Sequence, residues 1–283
     1  MLARTASFVI LLVLLIGPAS AGDGIADRRA LRVGLLPTVA SLSLLRLYDP
    51  LRLHLQETLD RPVELFTAVS FPAFWQDILD ESFDIIVPAS HFGVVAAEHG
   101  YLPLFRYRLE LRPQIVVPKN SAIADPRQLA GKRILTANQL TAISVVAVRW
   151  LEEDYHLIAG RDYQLVEASN HSTAIRAVAL GDADAAISSL SVIQQVPEDI
   201  RAKIDRIECR LLVPHQFTMA HRRLGADTIE RLRAALAAFP TTERGRAFFA
   251  AGGFQGYVPL MPKDIEEARP YAELVKAMIG ERK

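Results

Sequence analysis

Several short stretches place small, hydroxyl-bearing and imidazole side chains where an apolar strand-like run gives way to a helix-like one. They are Ser70-Phe71, Pro88-Ala89-Ser90-His91, Asn138-Gln139-Leu140-Thr141-Ala142, Asn170-His171-Ser172 and Ser188-Ser189. The first N–H groups of a helix have no intrahelical acceptor, and they carry the positive end of the helix dipole. Such turns therefore attract anions. Ser and Thr hydroxyls add donors beside those amides, and ligands of open α/β sheets sit outside the carboxyl ends of the strands. Taken singly, each turn is equally an ordinary N-cap, since Ser, Thr and Asn are the usual capping residues. Taken together, on two units facing one cleft, they describe a site for a small anion. The candidate contacts are Phe71, Ser90, His91, Thr141, Ala142, His171, Ser188 and Ser189. His91 has two readings: a cation for an anion at mildly acid pH, or a polar residue at a helix start with no ligand role.

Other chemistries lack their signatures. The chain has no G-x-S-x-G elbow, no H-E-x-x-H, no Walker loop and no G-x-G-x-x-G after a strand. Its seven His residues are scattered, with no i, i+4 pair to hold a metal on a helix. Asp182 and Asp184 are expected to be a solvated loop pair. The lone cysteine, Cys209, excludes an internal disulfide and any cysteine-built zinc site. No catalytic residue, cofactor or metal is therefore expected.

Lys plus Arg and Asp plus Glu both count 32 in 283 residues, and 51% of the chain is hydrophobic. That composition belongs to a folded protein, and the zero balance argues against a nucleic-acid partner. Met1–Ala21 reads as a cleaved secretory signal. Arg4 precedes an unbroken apolar run from Phe8 to Ile16, then Gly17-Pro18, then the small-x-small Ala19-Ser20-Ala21. The run is too short to span a bilayer, which takes about 20 residues. The expected product is an exported, periplasmic monomer starting near Gly22.

The elements that must position these turns alternate. Strand-like runs at Leu31–Leu36, Pro62–Thr67 and Asp84–Val87 are followed by helical patterns over Leu42–Leu59 (interrupted near Asp49-Pro50), Phe71–Leu79 and Ser90–His99. The pattern restarts after Pro118, with strands at Lys132–Thr136, Tyr163–Glu167 and Ala185–Ser188. Helices follow each, over Thr141–Glu153, Ser172–Leu180 and onward to about Val196. A strand from Phe217 and helices over Thr228–Phe239, Glu243–Ala251 and Pro262–Ile279 complete the chain. Alternation of this kind predicts parallel sheets in an α/β fold. Trp75 and Trp150 fall within helical patterns and are expected in the core. Ile115–Pro118 and Leu211–Pro214, both apolar and ending in Pro, read as two crossover strands between lobes, or else as ordinary sheet strands. As crossovers, they give a discontinuous first lobe, 22–117 plus 215–283, and a second lobe, 118–214. The space between two such lobes is a standard ligand site.

The chain resembles the periplasmic substrate-binding proteins of phosphate, phosphite and phosphonate ABC transporters over most of its length. The resemblance is carried by Asn170-His171-Ser172-Thr173-Ala174-Ile175-Arg176-Ala177-Val178 with Gly181-Asp182-Ala183-Asp184-Ala185-Ala186. Pro88-Ala89-Ser90, Asp125–Arg133 and Gly252–Pro259 extend it. It implies a type II periplasmic binding fold: two lobes, two crossovers and one cleft. The chain also departs from the family pattern. Leu140-Thr141-Ala142-Ile143 stands where the family has S-T-S-G, and His91 and Phe71 stand where it has tyrosines. Each hydrogen bond lost to a charged ligand group costs about 1.5–3 kcal/mol.

The resemblance implies an exported protein that captures a small phosphonate- or phosphate-like anion and delivers it to an inner-membrane ABC permease. A ligand sensor partnering a membrane sensor kinase would use the same fold. An exported hydrolase would need a triad assembled in space, for which no residue spacing speaks.

Overall fold

The computed structural model describes residues 29–39 and 41–280. The secretory signal read over Met1–Ala21 lies outside them. Two sheets repeat one plan. In the first, β1 (Leu31–Leu35), β2 (Val63–Thr67) and β3 (Ile85–Val87) are parallel, in the order β2-β1-β3. Helices α1 (Ser41–Leu59), α2 (Phe71–Leu79) and α3 (Ser90–Glu98) leave their carboxyl ends. β4 (Tyr101–Tyr107) follows. The chain then crosses through β5 (Glu110–Leu111) to the second sheet.

There β6 (Pro113–Pro118) precedes a second parallel trio. It consists of β7 (Arg133–Thr136), followed by α4 (Ala142–Tyr155), then β8 (Gln164–Glu167), followed by α5 (His171–Leu180), then β9 (Ala185–Ser189). Short helices α6 (Leu190–Gln195) and α7 (Glu198–Arg201) lead to β10 (Ile204–Glu208). The strand order is β10-β6-β9-β7-β8. The return runs through β11 (Val213–Pro214), antiparallel to β5, into β12 (Phe217–His221) of the first sheet. Helices α8 (Ala226–Ala238) and α9 (Glu243–Gly252), strand β13 (Tyr257–Pro259) and the long α10 (Pro262–Gly280) finish the fold. The first sheet thus reads β13-β4-β12-β3-β1-β2.

Three apolar cores follow from the alternation of side chains along the strands. Leu31, Val33 and Leu35 pack one face of the first sheet against α1, α8 and α9. Val116, Leu135 and Ala186 pack one face of the second against α5 and α6. The remaining faces share one core, in which Ile86, Phe92, Ile115, Leu140, Ala142, Ile187 and Val275 all lie. Trp75 and Trp150 are buried there. A single apolar core therefore joins the two halves. α10 contributes Ala268, Tyr271, Ala272 and Val275 to this core and adds two ties at its edge, Lys276 to Glu98 of α3 at 3.0 Å and Tyr271 beneath the Arg149 guanidinium of α4 at 5.4 Å.

The structure differs from the expected elements in three places. Ile115–Pro118 is sheet strand, the greater part of β6, pairing with β9 and β10. The crossing strand on that side is β5, while Val213–Pro214 crosses as expected. The runs look alike because both are short, apolar and proline-ended. α1 continues through Pro50. Leu44, Tyr48, Leu51, Leu55 and Leu59 form one buried stripe, and that packing outweighs the hydrogen bond Pro50 cannot make. β4, an interior strand of the first sheet, has no counterpart in the sequence reading, because Pro103 and Arg106 break its apolar pattern.

Beside the crossing, Tyr107 ends β4 stacked on Phe254 at 4.0 Å and shares a 2.7 Å hydroxyl contact with Tyr48. His215, at the end of the return strand, sets its ring edge against Tyr107 at 5.4 Å.

Candidate functional site

Each candidate residue sits where a parallel strand hands over to a helix. Phe71 starts α2, Ser90 and His91 start α3, Thr141 caps α4, Ala142 starts it, His171 starts α5, and Ser188 and Ser189 end β9. The question left open by the sequence is which turns are merely capped. Ser70 accepts from the Ala73 amide, Thr141 from Ser144, Asn170 from Thr173 and Ser189 from Val192. These four turns are satisfied by their own side chains. α3 differs: its N-cap is Ala89, and no side chain caps its first turn.

Beside that turn, Ser90 Oγ and His91 Nδ1 are buried without a hydrogen-bond partner. A buried unpaired polar atom costs about 1–3 kcal/mol. The His91 ring is fully buried, and its Nε2 lies 3.0 Å from the Leu140 carbonyl oxygen. A carbonyl only accepts, so Nε2 carries the proton and donates. This bond runs from the first sheet's α3 to the turn that opens α4 in the second. Phe92 holds the His91 ring edge-on at 4.7 Å and is itself met by Phe71 at 6.4 Å. Gly93 lets α3 press onto β12: a Cβ there would fall 2.4 Å from Phe217 Cδ2. Burial pushes His91 down to about 4, against a smaller upward pull from the Leu140 carbonyl. The imidazole is therefore neutral, and the cationic reading of His91 does not hold at neutral or mildly acid pH.

On the second sheet, Thr141 Oγ1 is 2.7 Å from Ser144 Oγ, which also bonds Thr136 and donates to the Asn138 carbonyl at 2.9 Å. The Thr141 hydroxyl is thus engaged within its own turn. His171 Nδ1 donates to the Ile187 carbonyl at 3.2 Å, and burial lowers its pKa as well. Ser188 lies opposite Gln114 in the β6–β9 ladder, and Ser188 Oγ and Gln114 Oε1 are both buried without partners. Gln114 is missed by the sequence reading. Its signal is a lone amide in the apolar strand Pro113-Gln114-Ile115-Val116-Val117. Gln114 and Ser189 also line a half-open cavity of about 710 Å³ beside the crossing, together with Leu111, Leu190 and Phe249. The candidates therefore form two groups. Phe71, Ser90, His91, Thr141 and Ala142 lie around the Leu140 turn, while His171, Ser188 and Ser189 gather at the end of β9.

A second cavity, of about 470 Å³, lies where the strands of the second sheet begin, lined by Lys132, Arg133, Asp182 and Asp184. Its charges serve the fold: Asp184 accepts the Arg133 amide at 2.8 Å and faces Lys132 at 3.7 Å. Among the described residues, no three His, Cys, Asp or Glu side chains gather as a metal site. No helix among them is long and apolar enough to cross a membrane.

Residues 33–265 match the model of a family described as the periplasmic substrate-binding protein of phosphonate ABC transporters. No curated protein matches the chain by sequence. Among solved structures, PhnD1 of Prochlorococcus marinus, determined with methylphosphonate, aligns with TM-score 0.74 at 13% identity, over 88% of this chain and 99% of that one. A binding-protein component of a Pseudomonas aeruginosa ABC phosphonate transporter aligns with TM-score 0.72 at 12% identity, over 91% and 100%. The alkanesulfonate-binding protein of Xanthomonas axonopodis, solved with MOPS, aligns with TM-score 0.58 at 18% identity, over 88% and 92%. At these identities the likeness is one of fold: a type II periplasmic binding protein.

Proposed function

The chain belongs to the family of periplasmic substrate-binding proteins of phosphonate ABC transporters, and from that premise we propose that it captures a small phosphonate- or phosphate-like oxyanion between its two halves and delivers it to a membrane permease. The observation that carries the ligand class is the first turn of α3. It is the one turn of the set with no side-chain cap, and it is flanked by the unpartnered Ser90 Oγ and His91 Nδ1. Amides of such a turn hold an oxyanion without needing a cation. Ser188 and Gln114 offer further polar atoms from the second sheet. Thr141 and His171 are assigned supporting places, since each is already bonded within its own half. Closure about the β5–β11 crossing is the expected working motion. On this reading the two lobes are the halves carrying the two sheets, and the chain is exported with its leader removed near Ala21, a reading supported by the family's compartment and by the small-x-small Ala19-Ser20-Ala21.

The test is calorimetric and thermal-shift titration of the mature protein with methylphosphonate, phosphate, phosphite, methanesulfonate, carboxylates and amino acids. A phosphorus oxyanion at 100 times its dissociation constant adds about 2.7 kcal/mol. For a chain of this size that raises Tm by roughly 5–10 °C. A response confined to carboxylates or amino acids, or to no member of the panel, overturns the reading.

A further inference from the structure

His91 has one nitrogen committed to a backbone carbonyl and one left over. Because the Leu140 oxygen fixes the proton on Nε2, Nδ1 presents a lone pair and no hydrogen. That lone pair is fully buried beside the uncapped end of α3 and has no partner. A fully deprotonated oxygen placed against it would bring two lone pairs together out of water, where such repulsion is least screened. A hydroxyl would complete the bond. We propose that this site takes its oxyanion in the singly protonated form, with the ligand's own P–OH donating to His91 Nδ1 while the other oxygens receive the α3 amides. The inference rests on the oxyanion reading above and deepens it. It makes His91 the residue that separates phosphonates and phosphates, which keep a titratable hydroxyl, from sulfonates, which have none.

The alternative is that His91 takes up a proton and donates it to the anion. The surroundings oppose that. The groups against the ring are Phe92, edge-on, and the Leu140 carbonyl, and no acidic side chain contributes to its titration. The start of α3 adds the positive end of a helix dipole. Burial likewise lowers the pKa of His171, the other imidazole among the candidates, whose Nδ1 donates to the Ile187 carbonyl.

The experiment is calorimetry of the mature protein with methylphosphonate and methanesulfonate across pH 5.5 to 9, in buffers of different ionisation enthalpy. Methylphosphonate is expected to bind at least 100-fold more tightly than methanesulfonate. Its affinity should fall about tenfold per pH unit above its second pKa, with one proton taken up per ligand there and none well below it. In His91→Phe, confirmed folded by its thermal transition, the preference over methanesulfonate should collapse to within tenfold. Equal, pH-flat affinity for both anions overturns the inference while leaving oxyanion capture standing. So does proton uptake that persists well below the second pKa and is lost in His91→Phe. Binding of neither anion overturns both readings.

Discussion

His91 Nε2 donates to the carbonyl of Leu140 at 3.0 Å, a bond that links the first sheet's α3 to the turn opening the second sheet's α4. It is a polar latch within an otherwise apolar contact made by Phe71, Phe92, Leu140 and Ala142. A net hydrogen bond contributes about 0.5–1.5 kcal/mol, enough to change an open-to-closed ratio several-fold. His91→Ala should therefore expand the unliganded protein, read as a larger radius of gyration by small-angle scattering. Identical scattering curves for the two proteins would remove the latch.

Two buried imidazoles make the fold sensitive to acid. Burial lowers both His91 and His215 to about 4, below the unfolded value near 6.5. Between those values the unfolded chain binds protons that the folded chain refuses, so stability rises with pH through that window and falls on acidification. The two shifts together bound the loss at about 7 kcal/mol. Urea unfolding at pH 4.5 and 7.0 should differ markedly for the native sequence and by clearly less in His215→Phe, where His91 and His171 still resist protonation. Equal pH slopes for the two would show that His215 contributes nothing.

Asp84 is fully buried just before β3 and receives the Arg32 amide at 3.0 Å, Arg223 Nε at 3.0 Å and Arg29 at 3.2 Å. Arg223 also reaches the Glu81 and Phe83 carbonyls. The cluster sits where the first sheet's parallel strands begin, the end away from the candidate site. Arg29 and Arg223 keep access to water, so losing the carboxylate costs its charge-assisted hydrogen bonds, about 1.5–3 kcal/mol each. Asp84→Ala should lower stability on that scale in denaturant while the folded fraction titrates methylphosphonate normally. A large change in affinity at unchanged stability would contradict this placement.

Gln114 and Ser188 face each other across β6 and β9 with unpartnered oxygens. If they meet the ligand, Ser188→Ala and Gln114→Leu should each weaken binding about 10- to 100-fold, the scale of a hydrogen bond to a charged group. Both would leave stability equal or higher, since each removes a buried unpaired atom. Loss of stability without loss of affinity would assign the pair to the fold.

The repeated order of strands and helices was legible because buried parallel strands are short apolar runs and each is followed by a helix-spaced pattern. β4 was not, since its neighbours on both sides, β12 and β13, come from more than a hundred residues downstream, and no local pattern records that pairing. The turns that could hold an anion were legible by residue type. Which of them is uncapped was not: Ser90 and Thr141 read alike in sequence. Only packing shows that Thr141 turns its hydroxyl to Ser144 while Ser90 leaves its own without a partner. Gln114 escaped for a related reason, because an amide in an apolar strand gives no sign of the Ser188 that faces it.

Thr141→Ala separates capping from ligand contact. The sequence pattern alone predicts lost affinity with an intact fold. The structure places Thr141 Oγ1 on the Ser144 amide at 3.2 Å and beside Ser144 Oγ at 2.7 Å, so the substitution removes a cap and unsettles the Thr136–Ser144–Asn138 chain. Loss of an N-cap costs about 0.5–2 kcal/mol, which for this chain lowers Tm by a few degrees at about 2–4 °C per kcal/mol. Thr141→Ser keeps the hydroxyl and should restore it. Affinity for methylphosphonate should change less in Thr141→Ala than in Ser90→Ala, whose hydroxyl has no other partner. The reverse order, with Thr141→Ala as stable as the native chain, would move the anion's seat from α3 to α4.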